Sequence, residues 1–180
     1  MTSRSPSTCR PCQFKQVGLL ATVVSALDEA GLHPSRLELE ITESVLLAQN
    51  GQNLQLLHAL RDLGVRIAMD DFGTGYSSLS YLRSFPFDKI KMDRSFVSGI
   101  GTDPGSMAIV KAVTGLGSGF NLTTTAEGVE TPDQLARLRR EGFGEIQGYL
   151  FARPMPATDA LAFISKHARR DEPNQLARAS

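Results

Sequence analysis

The hydrophobic residues of the chain follow two alternating patterns. Short runs in which every second residue is apolar are typical of a strand with one buried face, and longer runs with apolar residues every three or four positions are typical of an amphipathic helix. The first element that the pattern predicts is an amphipathic helix from Phe14 to Leu27, and Gly31 is placed to end it. Five strand–helix pairs then follow one another: 36–41 with 44–63, 65–69 with 76–83, 88–92 with 106–116, 122–126 with 132–140, and 145–150 with 157–166.

The repeated strand–helix order predicts an α/β fold with a parallel sheet. A doubly wound open sheet and a (β/α)8 barrel both fit the order. A barrel has eight units in roughly 250 residues, so a chain of 180 residues is expected to hold about five of the eight. Residues 1–12 show neither pattern and are expected to be irregular or foreign sequence, residues 13–170 to form the domain, and residues 171–180 to be a polar tail.

Composition narrows the classes of function. Hydrophobic residues make up 41% of the chain, enough for a packed core, while 19 Lys and Arg residues balance 19 Asp and Glu residues. A nucleic-acid polymer is not an expected partner, because its phosphates require a basic surplus. No apolar run approaches the ~18–20 residues of a membrane span and no signal-peptide pattern is present, so a cytoplasmic protein is expected. Cys9 and Cys12 form one Cys-x-x-Cys, too few ligands for a structural zinc site.

The alternation also assigns one polar face to each predicted strand. These faces hold Glu38, Glu40 and Thr42; Arg66, Ala68 and Asp70; Lys89, Lys91 and Asp93; Thr123, Thr125 and Glu127; and Glu145 and Gln147. Their last members lie at or near the carboxyl ends of the strands, the edge at which parallel α/β sheets bind ligands. The expected site at that edge consists of Glu40, Asp70, Lys91, Glu127 and Gln147.

Carboxylates gathered at one edge indicate a metal ion. Glu40, Asp70 and Glu127 repel one another unless a cation lies between them, and oxygen ligands favour a hard ion such as Mg²⁺ or Mn²⁺. Asp71 follows Asp70 directly, so this pair can serve two ions, which is a common device for phosphodiester hydrolysis. Lys91 is placed to hold the attacking water or to offset the charge of a phosphate.

Five segments together carry a family resemblance. They are ELEITE at 38–43, DDFGTGYSS at 70–78, KIKMDRSF at 89–96, AEGVET at 126–131 and QGYL at 147–150. In this order they resemble the EAL domain family of cyclic di-GMP phosphodiesterases, over about residues 13–156. The resemblance implies a (β/α)8 TIM-type barrel and Mg²⁺- or Mn²⁺-dependent hydrolysis of cyclic di-GMP, a bacterial second messenger, to linear pGpG. For signal transduction of this kind, the expected associations are a homodimer and fused or partner sensory or diguanylate cyclase domains.

The resemblance also implies roles for single residues. Asp71 resembles the residue that serves the second metal, and Lys91 the lysine at the attacking water. Glu43 resembles the glutamate that steadies the loop over residues 71–78, and Glu130 a residue that supports the metal ligands. The implied metal ligands are Glu40, Asp70, Asp71 and Glu127, and the implied catalytic residues are Lys91 and Gln147.

Three departures limit what the resemblance implies. The sequence has no Glu-Ala-Leu motif, whose glutamate binds metal in the family. Counting back from Gln13 puts Thr8 at the position of the family's metal-binding asparagine, and GFG at 142–144 replaces Gly-Cys-Asp. We therefore expect an N-terminally incomplete barrel with little or no phosphodiesterase activity of its own, whose open sheet edges favour association. The alternative is a non-catalytic, degenerate EAL module that binds nucleotide or a protein partner.

Overall fold

The computed structural model describes residues 5–9, 18–42, 51–74 and 79–168. The chain divides into two compact units, one of Thr2–Phe151 and one that includes Ala152–Ser180. The first unit contains the sheet and the candidate site. Cys12 and Glu43, which the sequence analysis singled out, lie outside the described residues.

Strands and helices alternate along the described chain, as the sequence pattern predicts. No helix among these residues combines the length and the hydropathy needed to cross a bilayer. The strands are β1 (Ser5–Cys9), β2 (Leu37–Thr42), β3 (Arg66–Phe72), β4 (Lys89–Met92), β5 (Thr123–Ala126) and β6 (Glu145–Ile146). The helices are α1 (Leu19–Ala30), α2 (Gly51–Asp62), α3 (Leu79–Ser84), α4 (Arg94–Ser98), α5 (Pro104–Phe120), α6 (Pro132–Arg140) and α7 (Ala157–Ala168), with a 3-10 turn at Pro34–Arg36.

The strands of the described chain form one parallel sheet in the order β1-β2-β3-β4-β5-β6. Every strand lies beside its neighbour in sequence, so the order contains no reversal. A doubly wound sheet reverses its strand order at the point where ligands bind, whereas a barrel adds its strands in one direction. The observed order therefore decides between the two folds that the pattern left open, in favour of the barrel type.

The first strand contradicts the irregular structure predicted for residues 1–12. β1 pairs with β2 in parallel register, with Ser5 opposite Leu37 and Thr8 opposite Glu40. The edge of β2 presents a row of backbone donors and acceptors, and β1 forms by hydrogen bonding to that row without the side-chain alternation that predicts strands. The described sheet consequently has one strand more than the five predicted.

Two further elements differ from the sequence prediction. β6 ends at Ile146 and does not continue to Leu150, because the chain turns there and the Phe151 amide donates a hydrogen bond to the Gly148 carbonyl. Helix α4 was not predicted, since five residues are too few to show a helical period. Asp93 caps α4 by accepting a hydrogen bond from the backbone amide two residues further on.

The apolar face of the sheet and helices α1 to α6 share one hydrophobic core. Leu57 of α2 and Val110 of α5 are fully buried in it. The fully buried strand residues of that face are Ile41, Ile67, Met69, Ile90, Met92 and Ala126. The other face carries buried polar residues, as the alternation predicts, namely Glu38, Glu40, Asp70, Lys89 and Lys91.

Candidate active site

The predicted site residues lie at one edge of the sheet. Glu40, Asp70 and Lys91 lie on β2, β3 and β4 towards the ends of these strands, and Glu127 follows β5 directly. Parallel strands bring their carboxyl ends to the same edge, so four neighbouring strands deliver these side chains to one place. Glu40, Asp70 and Lys91 are each at most 9% exposed. The polar face of the sheet therefore encloses a cluster of charged groups.

The ammonium group of Lys91 lies among three carboxylates. Its Nζ is 2.6 Å from Oε1 of Glu40, 2.6 Å from Oε1 of Glu127 and 3.0 Å from Oδ1 of Asp70. An ammonium has three donors, and these three carboxylates come from different strands. Burial lowers the pKa of Lys91, but its hydrogen bonds to Glu127, Glu40 and Asp70 outweigh burial and raise that pKa well above its ordinary value. Lys91 is therefore charged at neutral pH.

A bulge in β3 sets the position of Asp71. The register of β3 against β4 shifts between Met69 and Phe72, and a bulge of this kind re-aims the side chains next to it. Asp71 has a φ of 55°, in the left-handed region, where Asp is one of the few non-glycine residues that occur regularly. The amide and the hydroxyl of Thr74 both donate to the Asp71 carbonyl, at 3.3 and 2.9 Å, and close the turn.

Three carboxylates form a compact group as a result. One ligand oxygen each of Asp70, Asp71 and Glu127 lies within 4.8 Å of the other two. Burial raises the pKa of Asp71, and the neighbouring charge of Asp70 raises it further. Burial also raises the pKa of Glu127, against the lowering effect of Lys91. Burial therefore disfavours the ionised form of both carboxyl groups in the metal-free site.

The charges of the site leave room for a further cation. The carboxylates of Glu40, Asp70, Asp71 and Glu127 lie around a single ammonium, that of Lys91. Four negative charges and one positive charge leave a net charge of −3 when all the groups are ionised. An all-oxygen donor set with excess negative charge suits a hard divalent cation such as Mg²⁺ or Mn²⁺. The residues present therefore fit the metal that the sequence indicates.

Gln147 adjoins this group through its backbone. It follows β6 directly, its amide donates to the Ala126 carbonyl at 2.9 Å, and its carbonyl accepts from the Val129 amide at 3.1 Å. Ala126 precedes Glu127, so the two loops that carry Glu127 and Gln147 are joined by main-chain hydrogen bonds. The structure thus brings Gln147 to the same edge as the carboxylates, as predicted.

The other candidate residues are less closely tied to the group. Glu130 is exposed, and its backbone amide donates to Oε1 of Gln134 at the start of α6. Among the residues that the structure describes, its carboxylate makes no hydrogen bond or ion pair with the site. Thr8, which the resemblance puts at the position of the family's asparagine, lies opposite Glu40 in the β1–β2 ladder.

A second group of charged residues lies one layer below the site and was not singled out from the sequence. Nζ of Lys89 is 2.8 and 2.9 Å from the two carboxylate oxygens of Glu38 and 2.6 Å from Oε2 of Glu145. The alternation puts all three on polar strand faces and gives them no role. The signal that points to them is that each precedes a predicted site residue by two positions in the sequence.

The segment 142–144, where the sequence departs from the family's Gly-Cys-Asp, lies away from the carboxylates of the site. Gly144 precedes β6 at the amino end of that strand, and its amide donates to Oγ1 of Thr124 at 3.4 Å. The candidate site is at the opposite, carboxyl edge of the sheet. The acidic residue that the family pattern has at this position is therefore not one that could join the metal group.

Fold and site together define a class, that of barrel-type β/α domains with a carboxylate and lysine site at the carboxyl edge of the sheet. The family model of the EAL domain matches residues 8–154. This range includes the whole group from Glu40 to Gln147. The chain therefore belongs to the EAL domain family.

A curated relative supports the same assignment. The cyclic di-GMP phosphodiesterase NbdA of Pseudomonas aeruginosa is 46% identical over 156 residues, which are 87% of this chain and 20% of NbdA. The chain spans about a fifth of the length of most of the curated relatives it matches. The alignment thus concerns one domain of larger signalling proteins.

Solved structures of the family superpose on most of the chain. The cyclic di-GMP complex of the PaMucR phosphodiesterase of Pseudomonas aeruginosa has a TM-score of 0.84 at 42% identity, covering 87% of this chain and 64% of that chain. BlrP1 of Klebsiella pneumoniae, in complex with manganese and cyclic di-GMP, has a TM-score of 0.79 at 34% identity, covering 85% of this chain and 39% of that chain. The BlrP1 structure, which superposes on most of this chain, thus holds a divalent metal together with cyclic di-GMP.

Proposed function

We propose that this chain carries the metal-binding and catalytic residues of a cyclic di-GMP phosphodiesterase. The observation that carries the proposal is the position of Lys91 among the carboxylates of Glu40, Asp70 and Glu127, with Asp71 beside them. These are the residues to which the family resemblance assigns metal binding and the catalytic lysine. NbdA is named for this activity, and the PaMucR structure contains cyclic di-GMP, which supports the same substrate here.

The proposed reaction is the addition of one water molecule to one phosphodiester bond. The water oxygen bonds to phosphorus, the bond from phosphorus to the 3′ oxygen breaks, that oxygen takes a proton, and linear pGpG results. Bound Mg²⁺ or Mn²⁺ supplies Lewis acidity and an activated water. In this proposal Glu40, Asp70 and Glu127 hold the first ion, and Asp71 holds the second.

Lys91 and Gln147 have different tasks in the proposed reaction. Because its hydrogen bonds to carboxylates raise the pKa of Lys91, the lysine stays protonated and does not act as a base. Its three donors are taken by carboxylates, so it acts on the attacking water and the phosphate through its positive charge, in a buried site where such an interaction is stronger than in water. Gln147 orients the water from the end of β6. The resemblance gives Glu43 the role of steadying the loop after β3 and Glu130 a role beside the metal ligands; among the described residues no hydrogen bond or ion pair of the Glu130 carboxylate to the site supports the second role.

The associations of this domain belong to the same proposal. Since the chain spans about a fifth of most of its curated relatives, we propose that sensory or diguanylate cyclase domains accompany it, either fused or as partners. We also propose that it pairs with a second copy and works in the cytoplasm.

The register of Thr8 favours a second candidate function. Thr8 lies opposite Glu40 where the family has a metal-binding asparagine, and no Glu-Ala-Leu motif occurs in the 180 residues. We therefore expect little or no turnover from this chain alone. The second candidate is a non-catalytic EAL module that binds cyclic di-GMP or a protein partner at the same edge of the sheet.

One assay separates the two candidates. The purified chain is incubated with cyclic di-GMP and MnCl₂, and pGpG is measured by chromatography, with Asp70→Asn as the control variant. Slow formation of pGpG that Asp70→Asn abolishes supports the phosphodiesterase. Binding of cyclic di-GMP in the same buffer without any pGpG supports the non-catalytic module. Neither binding nor turnover would contradict the phosphodiesterase and the nucleotide-binding form of the module for this chain.

A further inference from the structure

Three charged side chains beneath the site take no part in the proposed reaction. Both oxygens of Glu38 and one oxygen of Glu145 lie within 2.9 Å of the Lys89 ammonium. Lys89 and Glu38 are 6% and 5% exposed. Charged groups are rarely buried to this degree unless they are paired, because removing them from water is costly. Lys89 and Glu38 are thus a built part of the interior, and together with the more exposed Glu145 we call them the lower cluster.

The lower cluster repeats the layout of the site one layer above it. Residues two apart on a strand point to the same face and lie ~6.5 Å apart. Two members of the lower cluster therefore lie directly beneath a candidate site residue on their own strand, Glu38 beneath Glu40 on β2 and Lys89 beneath Lys91 on β4. The third member, Glu145 of β6, precedes Gln147 by two residues, and Gln147 follows the end of that strand.

The Lys89 ammonium joins strands that are not neighbours. β3 lies between β2 and β4, and β5 lies between β4 and β6. The intervening residues leave room for it. Ala68 of β3 is fully buried and pairs with Lys89 in the ladder, and Thr125 of β5 donates its hydroxyl to Oε2 of Glu145 at 3.1 Å. Layers built from alternate strands are the way in which barrel interiors are filled. One ammonium consequently ties β4 to both β2 and β6.

Moving Lys89 away from Glu38 would cost free energy. A buried carboxylate that loses its counter-charge is strongly destabilised, so Glu38 requires Lys89 at its present position. A sliding of β4 against β2 would break the contacts of Lys89 and of Lys91 together, since both lysines pair with the same strand. The lower cluster is therefore suited to fix the height of β4 relative to its partners.

We propose that Lys89 is a positioning residue, which holds Glu40, Lys91 and Gln147 at their places in the site from the layer below. The inference rests on the proposed function, because it assigns Lys89 a role at that same site. Residues that orient metal ligands from behind commonly change metal affinity by about 10–100-fold when they are replaced. Lys89 acts through Lys91 and Glu40 and does not contact the substrate.

The test uses the 180-residue chain with Lys89→Met, and with Lys89→Arg as the conservative variant. Val113→Ala is the matched control, because Val113 is 1% exposed on α5 and its truncation lowers stability from the other side of the sheet. One readout is the ¹H–¹⁵N signal of the Lys91 ammonium, which is visible when hydrogen bonds slow its proton exchange and is assigned with Lys91→Arg. The second is Mn²⁺ affinity by calorimetry.

We expect Lys89→Met to lose or shift the Lys91 signal and to weaken Mn²⁺ binding at least about tenfold, while Lys89→Arg and Val113→Ala keep both. An unchanged Lys91 signal and Mn²⁺ affinity in Lys89→Met would overturn the proposal. If Lys89→Met does not fold, Glu145→Gln decides, because Glu145 has a side chain that is 40% exposed and tolerates the change. It should alter the Lys91 signal in the same direction, and an unaltered signal would overturn the proposal.

A failure of the proposed function gives a different result. In that case the wild-type chain binds no Mn²⁺ at all, whereas its Lys91 signal is present. Loss of that signal in Lys89→Met would then still support the positioning role of Lys89, since the ammonium readout needs no metal.

Discussion

The Lys91 ammonium and the Glu127 carboxylate form a 2.6 Å ion pair, which joins β4 to the residue that follows β5. Two more carboxylates share the same ammonium, so one cation holds the carboxyl ends of four strands together. The pairing is nearly closed to solvent on the lysine side, since the Lys91 side chain is 6% exposed. The stability of this end of the domain therefore depends on a single side chain.

Lys91→Met should destabilise the metal-free domain strongly. It leaves buried carboxylates without their counter-charge, for which the expected loss is about 3–5 kcal/mol of unfolding free energy. Denaturant unfolding in the presence of a chelator measures the loss. Arg137→Met is the control, because Arg137 pairs with Asp133 on the exposed face of α6 and such pairs contribute about 0.3–0.5 kcal/mol. Equal losses of unfolding free energy in both variants would show that the ion pairs of Lys91 stabilise the domain no more than the exposed pair of Arg137 does.

Asp71→Asn should stabilise the metal-free domain at neutral pH. Burial and the charge of Asp70 raise the pKa of Asp71 above its ordinary value of 3.8, so the ionised form is disfavoured in the folded state. Below the ordinary pKa, Asp71 is protonated in both the folded and the unfolded state and does not lower the stability of the fold. As the pH rises through the raised pKa, the folded state has to carry the ionised carboxylate, and stability is lost. Melting temperatures from pH 4 to pH 8 should therefore fall less with rising pH in Asp71→Asn. Asp62→Asn, at an exposed position of α2, should follow the wild type.

Gly148→Ala should disrupt the contact between the two loops that carry Glu127 and Gln147. A Cβ at Gly148 would overlap the backbone carbonyl and nitrogen of Val129, and the expected loss is about 1–3 kcal/mol of unfolding free energy. Gly115→Ala is the matched control. Gly115 lies exposed on α5 with no atom within 4 Å of a new Cβ, so this variant should gain about 0.5–1 kcal/mol. An unchanged free energy of unfolding in Gly148→Ala would show that the two loops do not need this close approach.

Thr8→Asn should strengthen metal binding. Thr8 lies opposite Glu40 in the ladder, and an asparagine there would restore the ligand type that the family resemblance implies, with a carboxamide oxygen suited to Mg²⁺ or Mn²⁺. Ser7→Asn is the control, because adjacent strand residues point to opposite faces of a sheet. Calorimetric titration with Mn²⁺ should show tighter binding for Thr8→Asn than for Ser7→Asn. Equal affinities would mean that position 8 does not reach the metal.

The alternation of residues was sufficient to predict the polar interior of the sheet. The period-two pattern put Glu40, Asp70 and Lys91 on one face, and parallel strand order brought them to one edge, because both rules follow from strand geometry alone. The same pattern could not predict β1, whose pairing with β2 depends on a neighbouring edge that is distant in sequence. It also extended β6 beyond Ile146, where tertiary packing at Gly148 turns the chain away.

The contacts within the site were less accessible from the sequence. Adjacent carboxylates at Asp70 and Asp71 indicated two directions for their side chains, but the bulge that separates them is a property of the ladder between β3 and β4. The pairing of Lys89 with Glu38 joins residues 51 positions apart. Alternation could place each on a polar face, whereas choosing the partner required the order and the height of the strands.

The proposed metal site is tested most directly by a calorimetric titration of the metal-free chain with Mn²⁺ at neutral pH, beside the double variant Asp70→Asn/Asp71→Asn. We expect that the wild type binds Mn²⁺ and that the double variant, which keeps the shape of both side chains but removes two charges, does not. Absence of Mn²⁺ binding in the folded wild-type chain, or equal binding in both proteins, would contradict the assignment of this edge of the sheet as a metal site.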